Sequence, residues 1–501
     1  MPNKQEAELE VLVRARYPLI YLVSWEETRV QAMLERLGAK QSKKVFTWTV
    51  TQGICDSAKA RDSSVKEPQA VLDYVAKSGQ PGLFVLKDFH SFMKDPRIVR
   101  ALRDLVQDLK TSYKTLILLS PVLEIPVELE KDVTVVDYDL PGADELLALF
   151  QDVIASAKAG GRFQVDVKAG EGEKLIHAAL GMTLSEAENA IARAIVQDSR
   201  LDAGDVDVIL EEKKQIIRKS RLLEYFEARE EFGQIGGLEL LKDWLGKRGQ
   251  AFSEKARQFG LPQPKGLLLL GVQGCGKSLT CKAISGLWKL PLLRLDMGSI
   301  FGGLVGQSEE NMRRAIKTAE SVAPCILWLD EIEKGLAGTQ SSGNSDAGTT
   351  ARVFSTFLTW LQEKTKPVFV AATANNIEQL PPELLRKGRL DEIFFVDLPN
   401  LAERREIFKI HLARKKRDPA KFDLDVLGKA AAGYSGAEIE QVVVSALYDA
   451  FSLQREVSQA DLEASARALV PLSVTMKEGI ARLREWASSR ARPASPADRA
   501  P

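Results

Sequence analysis

The chain has 501 residues, 45% of them hydrophobic and 28% charged, a composition that supports roughly two to four domains with cores of their own. Lysine plus arginine and aspartate plus glutamate balance at 69 each, so no overall field gathers nucleic acid or an anionic membrane, and neither is expected as a partner. Four cysteines (Cys55, Cys275, Cys281 and Cys325) include no CxxC pair and there are three histidines, which argues against a disulfide framework or a zinc site. Residues 1–10 are polar and acidic, unlike a secretory leader, and the longest apolar runs are strand-sized, too short for membrane insertion, so a cytoplasmic protein is expected. Strands are predicted at 19–23, 45–49, 83–87, 115–119 and 133–136, followed by helices at 143–157 and 185–197. Residues 205–231 are charge-rich, with apolar positions at Ile209, Ile216, Ile217, Leu222 and Leu223, and read as a connecting helix whose basic run 218–221 is a solvated face.

From Phe232 strands at 266–270, 292–295, 325–329, 367–371 and 393–396 alternate with helices, the pattern of an α/β layered domain around a parallel sheet. After Pro399 the pattern is purely helical, at 403–414, 424–431, 436–454 and 459–469, and the Arg/Ala/Pro/Ser-rich end beyond Ser488 is expected to be disordered. Between the first of these strands and a helix that takes up at Leu279 stands Gly271-Val272-Gln273-Gly274-Cys275-Gly276-Lys277-Ser278, a GxxxxGK[ST] phosphate-binding loop. Strand, glycine loop and helix let backbone N–H groups and a helix N-terminus surround a polyphosphate. Lys277 is placed to reach the β/γ-phosphates, and the Ser278 hydroxyl to coordinate Mg²⁺.

About fifty residues on, Cys325-Ile326-Leu327-Trp328-Leu329-Asp330-Glu331 is an apolar strand ending in two carboxylates, which a buried strand delivers to the sheet edge beside the phosphate loop. Asp330 is expected to hold the Mg²⁺ shell and Glu331 to polarise an attacking water. With this spacing the chain from Gly233 to about Leu469 resembles the AAA family of ATPases. The resemblance implies a P-loop NTPase αβα sandwich with a C-terminal helical lid, binding ATP with Mg²⁺ and hydrolysing it to ADP and phosphate. It implies that Ile235-Gly236-Gly237 contacts adenine and that Asn375, closing Ala371-Ala372-Thr373-Ala374-Asn375, orients the water. Gly433-Tyr434-Ser435-Gly436-Ala437-Glu438 is similar to the lid signature that closes over the nucleotide, with Gly436 and Ala437 against it. Leu384-Leu385-Arg386-Lys387-Gly388-Arg389-Leu390-Asp391 resembles the paired arginine-finger motif, which implies that Arg386 and Arg389 act in a neighbouring subunit of a homo-oligomer, a hexameric ring or a helical assembly.

The family grips a protein client with an aromatic pore loop; here Phe301-Gly302-Gly303-Leu304-Val305-Gly306-Gln307-Ser308-Glu309 places Leu304 at the aromatic's position, with Phe301 three residues earlier. The polar run 338–350 is expected as a second pore loop or a plain connector. Leu267–Gly271 running into the phosphate loop, 292–307 and the closing Leu483-Arg484-Glu485-Trp486-Ala487 resemble one branch of the family, the AAA proteins encoded by an open reading frame of cyanobacteria and red-algal plastids and their bacterial relatives. A plastid-encoded member would work in the stroma.

The first half repeats the plan: first-to-second strand spacing is 26 residues in both halves, 115–141 parallels 367–399, and 181–195 parallels 433–447. The alternative is an unrelated α/β domain with the same generic periodicity. Its counterpart of the loop, Ser24-Trp25-Glu26-Glu27-Thr28, has no Gly or Lys; Lys87-Asp88-Phe89-His90 lacks a second carboxylate; Ser120-Pro121 replaces the polar Asn. The expected division is a degenerate, non-catalytic AAA-like α/β domain (1–204), a linker helix (205–231), the ATPase core (232–399), the lid with a C-terminal helix (400–487) and a disordered tail (488–501). Cys275, at a helix N-terminus beside Lys277, has two features that would lower a thiol pKa, which raises the hypothesis that its oxidation blocks nucleotide; loop position alone does not establish reactivity, and the favoured reading is a small residue that merely fits. The function expected is Mg²⁺-ATP hydrolysis that remodels an unidentified protein client. The alternative is a nucleotide-gated scaffold that binds partners without threading them.

Overall fold

A computed structural model describes residues 4–56, 61–159, 164–165, 171–202, 204–219, 222–226, 232–252, 256, 258–301, 307–335, 344–386 and 388–496. Leu304 with the rest of 302–306, residues 338–343 of the polar run, and Lys387 lie outside the described residues. The chain divides into two compact units, Met1–Ile209 and Leu210–Pro501.

In the first unit, strands β1 (Leu19–Val23), β2 (Lys44–Thr49), β3 (Gly53–Asp56), β4 (Arg61–Asp62), β5 (Gly82–Lys87), β6 (Lys114–Ser120) and β7 (Thr134–Asp137) form one sheet in the order β4-β3-β2-β5-β6-β1-β7. Every pair from β2 to β7 across this order is parallel, and β3 and β4 add an antiparallel edge. Leu19, Tyr21, Phe84, Leu86, Leu116 and Leu118 pack into one core and Ile20, Leu22, Leu83, Val85, Ile117 and Leu119 into another, the alternation that buries both faces of a parallel sheet. Helices Glu171–Ala179 and Leu184–Asp198 follow, with a two-stranded parallel pair, β8 (Gln164–Val165) and β9 (Arg200–Leu201).

The second unit's sheet runs β10-β12-β13-β14-β11-β15-β16, built from β10 (Leu223–Phe226), β11 (Gly266–Gly271), β12 (Leu292–Leu295), β13 (Cys325–Leu329), β14 (Val368–Ala374), β15 (Glu392–Val396) and β16 (Arg492–Pro493). Stripped of its edges, each sheet carries its parallel strands in one order of appearance along the chain: second, third, fourth, first, fifth. The plan expected to repeat does repeat in its topology. Leu268, Leu270, Leu327, Leu329 and Val370 face one core, and Leu267, Leu269, Ile326, Trp328 and Phe369 the other. A helical lid follows β15: Leu401–Arg414, Leu424–Ala430, Gly436–Ser452 and Gln459–Ala468, around a core of its own that includes Phe408, Leu412, Ile439 and Val443.

Three expectations are corrected. Residues 205–231 are not one helix. Helix Asp205–Lys219 is followed by β10, antiparallel to β12, because Leu223 and Tyr225 alternate with Glu224 and pack on the sheet's core. The polar run 338–350 is helical from Asn344, within helix Asn344–Glu363. The end of the chain is ordered well past Ser488: helix Lys477–Arg490 is followed by β16, a two-residue parallel edge strand on β15 in which Pro493 costs no ladder bond that an edge requires.

Candidate active site

The phosphate loop leaves β11 at Gly271, which no side chain could replace: a Cβ there would lie 1.9 Å from Val396 O on the neighbouring strand. Gly274 and Gly276 take φ of +74° and +85°, the left-handed region that favours glycine. The loop ends as Gly276 caps helix Lys277–Trp288, whose first N–H groups have no partner within the helix and suit an anion at this end. Lys277 is buried and its Nζ donates to Gly271 O (2.8 Å) and Val272 O (2.7 Å), folding the amine back onto the loop. Burial pulls its pKa down to about 8, against the carboxylates of Glu333, Glu331 and Asp330, which raise it.

Beside the loop, β13 and β14 deliver a hydrogen-bonded cluster. Ser278 Oγ donates to Asp330 Oδ1 (2.8 Å), and Thr373 Oγ1 donates to the same oxygen (2.8 Å). Thr373 Oγ1 in turn accepts the Glu331 N–H (2.9 Å). Asn375 Nδ2 donates to Glu331 Oε1 (3.2 Å), while its backbone N–H reaches Glu333 Oε1 (2.9 Å). Glu331 holds φ at +48°, a left-handed conformation that costs a non-glycine residue about 1–3 kcal/mol. Lys334 pairs with its other carboxylate oxygen. The turn out of β13 is therefore held in a strained pose, aiming Glu331 toward the loop's end of the sheet.

Ser278, Asp330, Glu331 and Asn375, named from the sequence, are thus joined in one network that borders Lys277. Thr373 and Glu333 were missed. Thr373 is the only hydroxyl in the buried strand Val-Phe-Val-Ala-Ala-Thr-Ala, and a lone polar residue there must find a partner. Glu333 is 4% exposed, its Oε2 has no hydrogen-bond partner among the described residues, and its signal was a third carboxylate two positions after the pair. The donor set fits Mg²⁺: Ser278 and Asp330 present only oxygens, which a hard cation prefers, at one edge of the loop.

A cavity of ≈ 260 Å³ opens next to the loop, lined by Ile235, Gly236, Gly274, Cys275, Gly276, Leu279, Gly436 and Ala437 among others. The lid helix Gly436–Ser452 meets the loop there: Ala437 N–H donates to Gly274 O (3.0 Å), and Ser435 and Glu438 form a capping box that fixes the helix start. A Cβ on Gly274 would lie 2.9 Å from Ser435 Oγ, so the loop and the lid need glycine at this contact. Gln273 is exposed, as is Gly274. Arg386 is exposed and Arg389 donates to Glu383 O of its own chain; among the described residues neither is bonded to Lys277, Ser278, Asp330, Glu331 or Asn375.

The thiol hypothesis fails on its premise. Cys275 Sγ lies 3.7 Å from Gln273 O, and burial pushes the thiol up to about 12, outweighing the opposing pull of Lys277. A group that stays protonated at neutral pH is a poor nucleophile toward oxidants. The favoured reading, a small residue that fits, accords with this.

At the equivalent strand end of the first unit the loop is replaced by an ion network. Buried Arg29 pairs with Glu26, takes Glu145 bidentately (3.0 and 2.8 Å), donates to Asp139 O (2.7 Å) and lies 4.6 Å over the Tyr138 ring. Glu26 Oε1 accepts the Leu184 N–H (2.7 Å) at the start of a helix whose Thr183–Glu186 capping box repeats that of Ser435–Glu438. Side chains of the protein thus tie this unit's helical part to its sheet where the second unit keeps a glycine loop.

A doubly covered parallel sheet, a glycine loop running into a helix, two strand-end carboxylates and a helical lid define a P-loop domain of the AAA type. Comparison places it further: the profile of the ATPase family associated with various cellular activities (AAA) matches residues 267–398, and profiles of the SpoVK-like AAA ATPase N-terminal and second domains match residues 5–138 and 144–220. The chain is 42% identical to the uncharacterized AAA domain-containing protein ycf46 of Pyropia yezoensis, over 97% of this chain and 99% of that protein, and 39% identical to that of Guillardia theta over 96% and 94%. It is 35% identical to the cell division cycle protein 48 homolog of Archaeoglobus fulgidus, over 42% of this chain and 29% of that one. The chain belongs to the AAA ATPase family, among the ycf46-type AAA domain-containing proteins. Among the described residues no helix is long and apolar enough to cross a membrane.

Proposed function

We propose that this protein is a Mg²⁺-dependent ATP hydrolase that works as a homo-oligomer and remodels a protein partner. The observation that carries the reading is the single network joining Ser278, Asp330, Thr373, Glu331 and Asn375 beside the glycine loop. Ser278 and Asp330 would hold a Mg²⁺, whose charge would supply electrostatic stabilisation at the phosphates. Lys277 would leave its two loop carbonyls for the β/γ-phosphates of the substrate, regaining in charge-assisted bonds what it gives up. Glu331, steadied by Asn375 and by the Thr373 hydroxyl on its N–H, would accept the proton of a water attacking the γ-phosphorus as ADP leaves in line. Ile235 and Gly236, with Gly436 and Ala437 of the lid, would enclose the nucleoside. Arg386 and Arg389, which do not reach their own chain's cluster, would complete the site of an adjacent copy.

Leu304 at the place of a pore aromatic favours a second reading, a nucleotide-gated scaffold that binds partners without pulling them. Glu331→Gln should retain ATP without turnover and hold its partner captive in native lysate. If the captured protein stimulates wild-type hydrolysis and loses structure, remodelling is supported; if it binds with hydrolysis unchanged, the scaffold reading replaces it.

A further inference from the structure

The expected tail is instead packed behind the cavity, against residues that line it. β16 (Arg492–Pro493) pairs with β15; Ala494, fully buried, donates its N–H to Phe395 O (2.9 Å) and accepts the N–H of Leu241 (3.1 Å) from helix Glu239–Gly249. These contacts fix the segment to the sheet side of the domain. The next residue crosses to the lid: Ser495 Oγ donates to Glu403 Oε1, on helix Leu401–Arg414. The same Glu403 oxygen accepts the Leu238 N–H (3.1 Å), and Glu406 accepts the Gly237 N–H (2.8 Å).

Gly237 shows how tight this junction is. It holds φ at +76°, and a Cβ would lie 2.3 Å from Glu403 Oε1. Leu238 is also left-handed, at φ +61°, a conformation kept only where its surroundings enforce it. Ile235, Gly236 and Leu238 form one wall of the cavity and Glu403 and Ile407 another, so Glu403 is the pin between them. A second tie comes from the preceding helix, Lys477–Arg490. Arg484 grips Asp397 through Nε (3.0 and 2.8 Å) and Nη2 (2.9 Å), and Asp397 lines the cavity at the start of the stretch joining β15 to the lid.

We propose that the C-terminal segment buttresses the wall of the nucleotide site from behind, and that Ser495 and Arg484 are positioning residues that set the cavity's shape through Glu403 and Asp397. The inference rests on the reading of this cavity as the nucleoside site. Neither residue lines the cavity. Each acts through a carboxylate that does. A polar contact of this kind contributes about 0.5–1.5 kcal/mol net, equivalent to about 2- to 10-fold in an equilibrium constant.

The test is titration of a fluorescent ATP analogue with Mg²⁺ into the full-length Glu331→Gln protein, with and without Ser495→Ala plus Arg484→Gln. The expected result is a Kd raised about 3- to 10-fold, with faster amide exchange at Leu238 and a KM that rises more than kcat falls in the Glu331-containing version. Ser495→Thr, which keeps the hydroxyl, should restore the affinity. An unchanged Kd in the double variant, or Ser495→Thr as weak as Ser495→Ala, overturns the proposal while leaving the ATPase reading intact. If the double variant does not fold, the Ser495→Ala and Ser495→Thr pair alone decides it. A parent protein that binds no nucleotide overturns both.

Discussion

At Lys277 two demands meet: the amine must be charged to hold a polyphosphate, yet the fold buries it. Burial lowers its pKa to about 8, from 10.5, and a bound triphosphate would raise it again. Binding then takes up a proton between those two values, so affinity must fall as pH rises through that window. Nucleotide titration from pH 7 to 10 should show this weakening, and Lys277→Arg, whose guanidinium stays charged, should flatten the slope whatever its absolute affinity. Thr373 carries a different load, donating to Asp330 and accepting from Glu331. Thr373→Val leaves an N–H and a carboxylate oxygen short of partners, at a cost of about 1–3 kcal/mol read by urea denaturation, with phosphate release reduced as Glu331 loses its anchor. The motif residues were legible in the sequence because their spacing is tied to a strand and a loop. Thr373 was legible only as a lone hydroxyl in need of a partner, since nothing in a run of Val, Phe and Ala says that the partner is a carboxylate on the next strand.

Among the elements, the parallel strands of both sheets were visible as short apolar runs, and most of the lid as helical periodicity; the structure adds Asn400 and Ser435 as the caps of two lid helices. What escaped were strands at the sheet edges. β10 is four residues at the end of a charged stretch, and β16 is an Arg-Pro pair whose composition reads as disorder; both exist because an already formed strand offers them a ladder. Tertiary context of that kind has no local signature. The first unit's network is an element-scale device too. Arg29 is buried against the carboxylates of Glu26 and Glu145 and the backbone carbonyl of Asp139, so removing it leaves the buried Glu26 carboxylate uncompensated and that carbonyl short of a donor. Arg29→Ala should cost about 3–5 kcal/mol in chemical denaturation, and nucleotide binding should be unchanged, since that unit's strand end has no glycine loop to lose.

For the whole molecule, two units of one topology have parted in chemistry: one closes its strand end with its own ion pairs, the other keeps loop, carboxylates and lid. The repeat could be read from spacing, but what replaced the loop could not, because Glu26 and Arg29 acquire meaning only beside Glu145, 116 residues away from Arg29. On the proposed function, Arg386 and Arg389 would complete the site of a neighbouring copy. Arginines supplied from an adjacent copy raise turnover about 10³–10⁵-fold in phosphoryl transfer. Phosphate release per subunit should therefore fall on dilution through dissociation, and replacing both by alanine should remove that dependence together with most activity. The most direct measurement is steady-state phosphate release from ATP with Mg²⁺ at an assembled concentration, for the wild type and Glu331→Gln side by side with nucleotide occupancy. Turnover that needs Mg²⁺ and vanishes in Glu331→Gln while ATP stays bound is the predicted result; a wild type that releases no phosphate, or a glutamine variant that matches it, would contradict the account.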